Sequence, residues 1–330
     1  MQDNGVRTVA TVGGDVRIDR LGPTLMHEHV FVLTPDVQGG WPGFMGWDEE
    51  REIERARAKL AGIKRGGIDT IVDLTAPGVG RNVRLIAAAA EGTGLQVVVC
   101  TGFYTVDGLP LPWRFNPRAD ELMVELFVRD IEEGIEGTDI KAGVLKCATD
   151  VEGVTPGVER VLRAVARAHL ETGVPISTHT HAGTRRGLDQ QRIFREEGVD
   201  LGAVVIGHSN ETTDLGYLEE VMDAGSLIGF DRCGCHLTTP LDDQLDTAAE
   251  LCRRGYAERI VVSHDKPCFI DWLTEEEEQA LLPDHHYGYV QGEFFPGLRE
   301  RGVSEAQIER LIEGNPRDFF AYRAKKSVVA

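Results

Sequence analysis

IKAGVLKCATDVEGVTPGVERVLRAVARAHLETGVPISTHTHA, residues 140–182, reads as strand, helix, strand. The outer runs, 140–149 and 174–182, are short, nearly continuously apolar and end in polar residues, the pattern of strands covered on both faces. Between them, Thr155 suits an N-cap and Pro156 the first helical position. Val158, Val161, Leu162, Val165 and Ala166 form a stripe at helical spacing, and Gly173 suits the stop. The same alternation extends both ways. Further strands are expected at 24–31, 69–76, 95–104, 203–210, 226–234 and 258–265, and further helices at 49–65, 81–91, 119–135, 185–197, 214–224 and 241–254. About eight strand–helix repeats predict an α/β fold, a (β/α)8 TIM barrel. An open doubly wound sheet would alternate similarly, but no Gly-x-Gly-x-x-Gly follows the first strand. VRTVATVGGDVRIDR (6–20) carries Gly13-Gly14-Asp15 between two short runs and predicts an N-terminal β-hairpin. No repeat or low-complexity linker divides the chain, so one domain over 1–330 is expected.

With 330 residues, 42% of them hydrophobic and 27% charged, the chain can bury a sizeable core. A net charge of −19 disfavours nucleic acid and anionic membranes as partners, because both need a basic surface. Met1-Gln2-Asp3-Asn4 begins no apolar stretch of the kind a signal peptide needs, and no run approaches a membrane span. Cys100, Cys147, Cys233, Cys235, Cys252 and Cys268 are scattered without a Cys-x-x-Cys pair, which fits buried thiols in a reducing, cytoplasmic setting.

Barrel enzymes place their chemistry at the C-terminal ends of the strands. In TLMHEHVF (24–31), alternation puts His27 and His29 on one face. The other strand ends carry Lys146, His179 and His181, His208, Arg232, then His264 and Asp265. Imidazoles and a carboxylate converging on one rim predict a metal site. A Schiff-base nucleophile is the alternative role for Lys146, set against the histidines around it. His179 and His181 share strand parity, so either could be a ligand. His264 should point away from its neighbour Asp265 and is read as structural. His169, His285 and His286 carry no such signal.

These residues lie in motifs with a resemblance. MHEHVF (26–31), GVLKCATD (143–150), THTHAG (178–183), IGHSNETTD (206–214), FDRCG (230–234), VSHD (262–265) and GNPRDFF (314–320) fall in order across nearly the whole chain. The sequence resembles the phosphotriesterase family of the amidohydrolase superfamily, and is most similar to its phosphotriesterase-like lactonases. The resemblance implies two divalent metal ions, zinc foremost, with cobalt, iron or manganese as alternatives. His27, His29 and Asp265 would hold one ion, His179 and His208 the other, with carboxylated Lys146 and a hydroxide bridging. It further implies Asp265 as proton acceptor, Tyr104 and Arg232 as pocket residues, and Trp272 in the loop after the last strand, with His181 lining the pocket or supporting a ligand. The implied activity is opening of lactones, N-acyl-homoserine lactones among them, with weaker phosphotriester hydrolysis, by a homodimer acting on small molecules. Hydrolysis of other carboxyl or phosphoryl esters, or metal-bearing ligand binding without turnover, are the alternatives. Lys266-Pro267 after Asp265 and GGWPGFMGWDEE (39–50) after the first barrel strand depart from the lactonase pattern, in loops that govern substrate range.

Overall fold

The short apolar runs become strands and the striped segments become the helices that cover them. The computed structural model describes residues 7–322. β1 (Thr8–Thr11) and β2 (Gly14–Arg17) pair antiparallel as the expected hairpin. β3 (Thr24–Val32), β4 (Thr70–Asp73), β5 (Gln96–Gly102), β6 (Val144–Ala148), β7 (Ile176–His179), β8 (Val204–Ile206), β9 (Leu227–Phe230) and β10 (Ile260–Val262) follow as parallel neighbours in chain order. Helices Glu49–Arg65, Val83–Ala90, Ala119–Glu132, Pro156–Thr172, Arg186–Glu197, Leu215–Asp223 and Leu241–Arg253 alternate with them, giving a (β/α)8 barrel. In the helix Pro156–Thr172, the Thr155 hydroxyl accepts from the Val158 N–H, and Gly173 ends the helix at φ 76°. Its buried Val158, Val161, Leu162 and Val165 each contribute roughly 1.5–3 kcal/mol of burial.

A ninth strand corrects the expectation of a plain loop after Asp265. β11 (Pro267–Ile270) pairs in parallel with β3, Pro267 opposite His29 and Ile270 opposite Val32. The Asp265 N–H donates to the His27 carbonyl at 3.0 Å and the His29 N–H to the Lys266 carbonyl at 3.2 Å, so β11 prolongs the line of β10 along β3. The break between them falls at Asp265, which sits at φ 58° in the left-handed region. Pro267 is tolerated because it opens a strand, where a missing donor costs least. Helices Glu275–Leu281, Phe295–Glu300 and Asn315–Ala321 also lie beyond the segments expected from sequence.

The core has two parts. One lies between sheet and helices; the other fills the barrel interior with Met26, Val72, Val98, Val144, Val205 and Val261 and continues to Val9, Ile18 and Phe319. The hairpin abuts the start of β5, where the Val12 N–H donates to the Val97 carbonyl at 2.9 Å. With that end plugged, the opposite rim is the one open to chemistry.

Candidate metal centre

The strand ends deliver their polar side chains to one cavity of about 130 Å³. Its wall includes His27 and His29 from β3, Lys146 from β6, His179 from β7, and His208, Arg232 and Asp265 from just beyond β8, β9 and β10, together with Tyr104 and Trp272. Close approach of the strands requires glycine beside them. Gly102 adopts φ 111°, and a Cβ there would lie 2.0 Å from the Lys146 carbonyl oxygen.

Hydrogen-bond accounting fixes which way the histidines face. Asp231 is buried, and its two carboxylate oxygens stand 2.8 Å from His27 Nδ1 and 3.0 Å from His208 Nδ1, while the His208 N–H donates to it at 2.7 Å. A carboxylate only accepts, so both Nδ1 atoms carry the proton and both Nε2 atoms present lone pairs to the cavity. His27 Nε2 lies 3.3 Å from Asp265 Oδ1 and 3.2 Å from Lys146 Nζ, and His208 Nε2 lies 2.7 Å from His179 Nδ1. Asp265 Oδ1 is also 2.9 Å from His29 Nε2, whose Nδ1 meets the Thr75 hydroxyl at 2.8 Å. Ligand atoms of His27, His208 and Asp265 all fall within 4.8 Å of one another. Lone pairs gathered so closely are satisfied by a cation among them, and the donor set fits a divalent metal.

Electrostatics agree with that chemistry. Burial lowers the pKa of His27, His179 and His208, favouring the neutral imidazoles that ligate. Burial likewise lowers that of Lys146, despite the opposing pull of Asp265 and Asp231. Burial pushes Asp265 upward, but His27, Arg232 and the hydrogen bond to His29 outweigh it and hold the carboxyl well below its usual range. Arg232 donates to Asp265 at 2.8 Å and to Glu211 at 2.7 Å. His208 and Asp265, two of the cavity-lining residues, both adopt left-handed backbone, at φ 54° and 58°. Such strain in non-glycine residues collects at functional sites.

Of the six histidines expected at the rim, four line the cavity. His181 does not: its Nδ1 meets the Thr184 hydroxyl at 2.9 Å in the turn that follows β7. His264 is buried with Nδ1 2.7 Å from Glu28, a structural position as expected. His285 is less bland than its polar surroundings suggest, being buried with Nε2 2.7 Å from the His264 carbonyl. Sequence reasoning passed over Glu28, Asp231 and Glu211. Glu28 is 0% exposed and accepts from the Ser263 hydroxyl, the His264 N–H and the Lys266 N–H, tying β3 to the turn that carries Asp265. Asp231 had a readable signal, a carboxylate closing the apolar run SLIGF at a strand end.

Comparison with known proteins places the chain. The profile of the phosphotriesterase family matches residues 7–320. The chain belongs to the phosphotriesterase family. A phosphotriesterase homology protein of Mycobacterium tuberculosis is 50% identical over 94% of this chain and 96% of its own length. An aryldialkylphosphatase of Saccharolobus solfataricus is 39% identical over 95% and 99%. The solved structure of the phosphotriesterase from Mycobacterium tuberculosis superposes with a TM-score of 0.92 at 49% identity, covering 95% of this chain and 98% of that one. As a member of the phosphotriesterase family, the chain is a metal-dependent hydrolase acting on ester bonds. Among the described residues no helix is long and apolar enough to cross a membrane.

Proposed function

We propose that the chain opens lactones, N-acyl-homoserine lactones among them, and hydrolyses phosphotriesters more weakly. The observation that carries this reading is that Tyr104 and Arg232 share one small cavity with the histidines, Lys146 and Asp265. Tyr104 and Arg232 at that wall would restrict a phosphorus bearing three ester groups more than a ring ester. The name of the Saccharolobus solfataricus relative, an aryldialkylphosphatase, supports the weaker activity. Residues 1–330 would form one catalytic barrel domain, and the family likeness adds a cytoplasmic homodimer.

His27, His29 and Asp265 would hold one divalent ion, His179 and His208 a second, with Lys146 between them as a carbamate; zinc is the first choice, then cobalt, iron or manganese. Bound there, such ions supply Lewis acidity that acidifies a water and polarises the bond under attack. Burial favours the neutral, nucleophilic form of the Lys146 amine, which would add CO₂ and release one proton to become the carbamate. Asp265, held anionic beside Arg232, accepts a proton from the attacking water. The Tyr104 phenol is kept protonated by burial and can donate a hydrogen bond to the substrate. Leu74, Val79 and Ile270 form the apolar part of the wall.

Two measurements test the reading. Chelation should abolish turnover and added zinc, cobalt or manganese should restore it, with about two metals bound per chain at full activity. A fully active preparation with one equivalent would remove the binuclear model. Tyr104→Phe and Arg232→His should each lower kcat/KM for lactones by about 10–100-fold, a loss of roughly 1.4–2.7 kcal/mol in transition-state contact. At equal metal content, triester turnover of Tyr104→Phe should hold or rise, while in Arg232→His it should fall less than lactone turnover, because the lost Asp265 contact serves both substrates. Equal losses on both substrates would show that these side chains do not select the lactone. Absence of turnover on lactones, aryl esters and triesters alike would favour ligand binding without catalysis.

A further inference from the structure

The segments after β3 and β11 leave the sheet beside the cavity, whose wall includes Val32, Ile270 and Trp272, and one departure from the lactonase pattern, 39–50, falls in the first of them. They are joined by a buried carboxylate. Asp271, next to Trp272, is 2% exposed. Its backbone N–H extends the β3–β11 ladder by donating to the Val32 carbonyl at 3.1 Å. Its side chain then accepts from the Thr34 N–H at 2.7 Å, the Thr34 hydroxyl at 3.0 Å and the Gln38 amide at 3.1 Å. All three of these side-chain contacts cross to the segment after β3. Burying a carboxylate is costly unless its hydrogen bonds are made, and here the bonds that offset the cost also fix the two chains that meet.

Apolar packing closes the same junction from below. Trp47, from the Trp- and Gly-rich stretch 39–50, stands edge-on to Phe31 of β3 at 5.4 Å and to Phe269 of β11 at 5.0 Å between ring centroids. The helix Glu49–Arg65 adds two polar ties: Arg55 pairs with Glu275, and Lys59 donates to the Cys268 carbonyl of β11 at 2.8 Å. The residue that gains a defined place from all this is Trp272, which lines the cavity although it is 59% exposed. With more than half of its surface exposed, its place depends on the backbone on which it stands.

We propose that Asp271 is a positioning residue for substrate selection, locking the segments after β3 and β11 into one body and so setting where Trp272 stands at the cavity mouth. This rests on the hydrolase reading above for its substrate, but the position of Trp272 does not depend on turnover. Small esters that reach the reacting atoms without touching the mouth should be indifferent to Asp271, while esters with long acyl chains, which must pass Trp272, should feel its loss.

The test is Asp271→Asn, which keeps the shape but turns an amide toward donors, read in the metal-loaded protein in two ways. The first is acrylamide quenching of the Trp272 fluorescence, taken as the difference from Trp272→Phe and from Trp272→Phe in the Asp271→Asn background. Quenching of that difference signal should rise by about half as the indole, already 59% exposed, loses its fixed place. The second is steady-state kinetics, where KM for a long-chain lactone should rise about tenfold with kcat for a short aryl ester within about twofold, the split expected of lost positioning. Gln38→Ala and Thr34→Val attack the same junction from the other side and carry the test alone should Asp271→Asn fold poorly; where it folds, combining either with it should be non-additive. Unchanged Trp272 quenching and an unchanged KM would overturn the proposal, as would equal losses on both esters. Altered quenching in a protein that turns over neither ester would uphold the positioning role and refute the hydrolase reading instead.

Discussion

Lys146→Ala is expected to lose activity by about a thousandfold or more, the scale on which a single electrostatic contact at a reaction centre acts. The side chain is buried, its amine lies 3.2 Å from His27 Nε2, and burial disfavours its charge. A cation there would repel a metal pair; a carbamate would bridge it. Short carboxylic acids in solution should restore part of the activity of Lys146→Ala by taking the place of the carbamate. Lys146→Arg should not recover, because a guanidinium keeps its proton and cannot be carboxylated. Metal analysis of each variant, with activity measured at saturating zinc, separates lost metal from lost chemistry. Trapping of an imine at Lys146 by borohydride would instead support a Schiff-base nucleophile and dispose of the carbamate.

What made the centre readable was coincidence of type and place. Histidine and lysine are rarely buried in nearly continuous apolar strands, so His27, His179 and Lys146 stand out in the sequence, and the structure brings them to one cavity. Alternation puts His27 and His29 on one face, and both line it. Alternation could not separate His179 from His181, because β7 ends at His179 and the chain turns before parity applies. Glu28 was hidden by the same rule. It lies on the opposite face from its neighbours, where its partners come from Ser263, His264 and Lys266, far away in sequence. A single strand cannot report a contact that exists only when the barrel closes.

The helices whose stripes and stops are local, Glu49–Arg65 and Pro156–Thr172, appear with the limits the sequence suggested. β11 did not announce itself, since Lys266-Pro267 is locally a loop signal and only the free edge of β3 makes it a strand. That edge also explains the turn at Asp265. The chain must leave the line of β10 and rejoin β3 one step higher, and the left-handed residue that allows this is also the one whose carboxylate enters the cavity. Barrel closure and site assembly are here one structural event.

Asp231→Ala is expected to weaken both proposed metal positions together. One buried carboxylate orients His27, assigned to the first ion, and His208, assigned to the second, and it also receives the His208 N–H that holds the left-handed backbone there. Loss of such an orienting partner costs about 10–100-fold in metal affinity, and serving two ligands should place this variant at the upper end for both ions. Asp231→Asn should be intermediate: its amide has one accepting oxygen, so only one of the two imidazoles keeps its partner. Stability should fall as well, by about 1–3 kcal/mol for each buried N–H left without an acceptor, read from thermal unfolding of metal-free protein. The two effects have separate signatures. If Asp231 merely supported the fold, excess metal would restore full occupancy and wild-type turnover in whatever fraction remained folded. If it sets the direction of both imidazoles, competition with a chelator should show two weakened sites, and turnover at saturating metal should remain low. Two sites of unchanged affinity in Asp231→Ala would remove the shared orienting role.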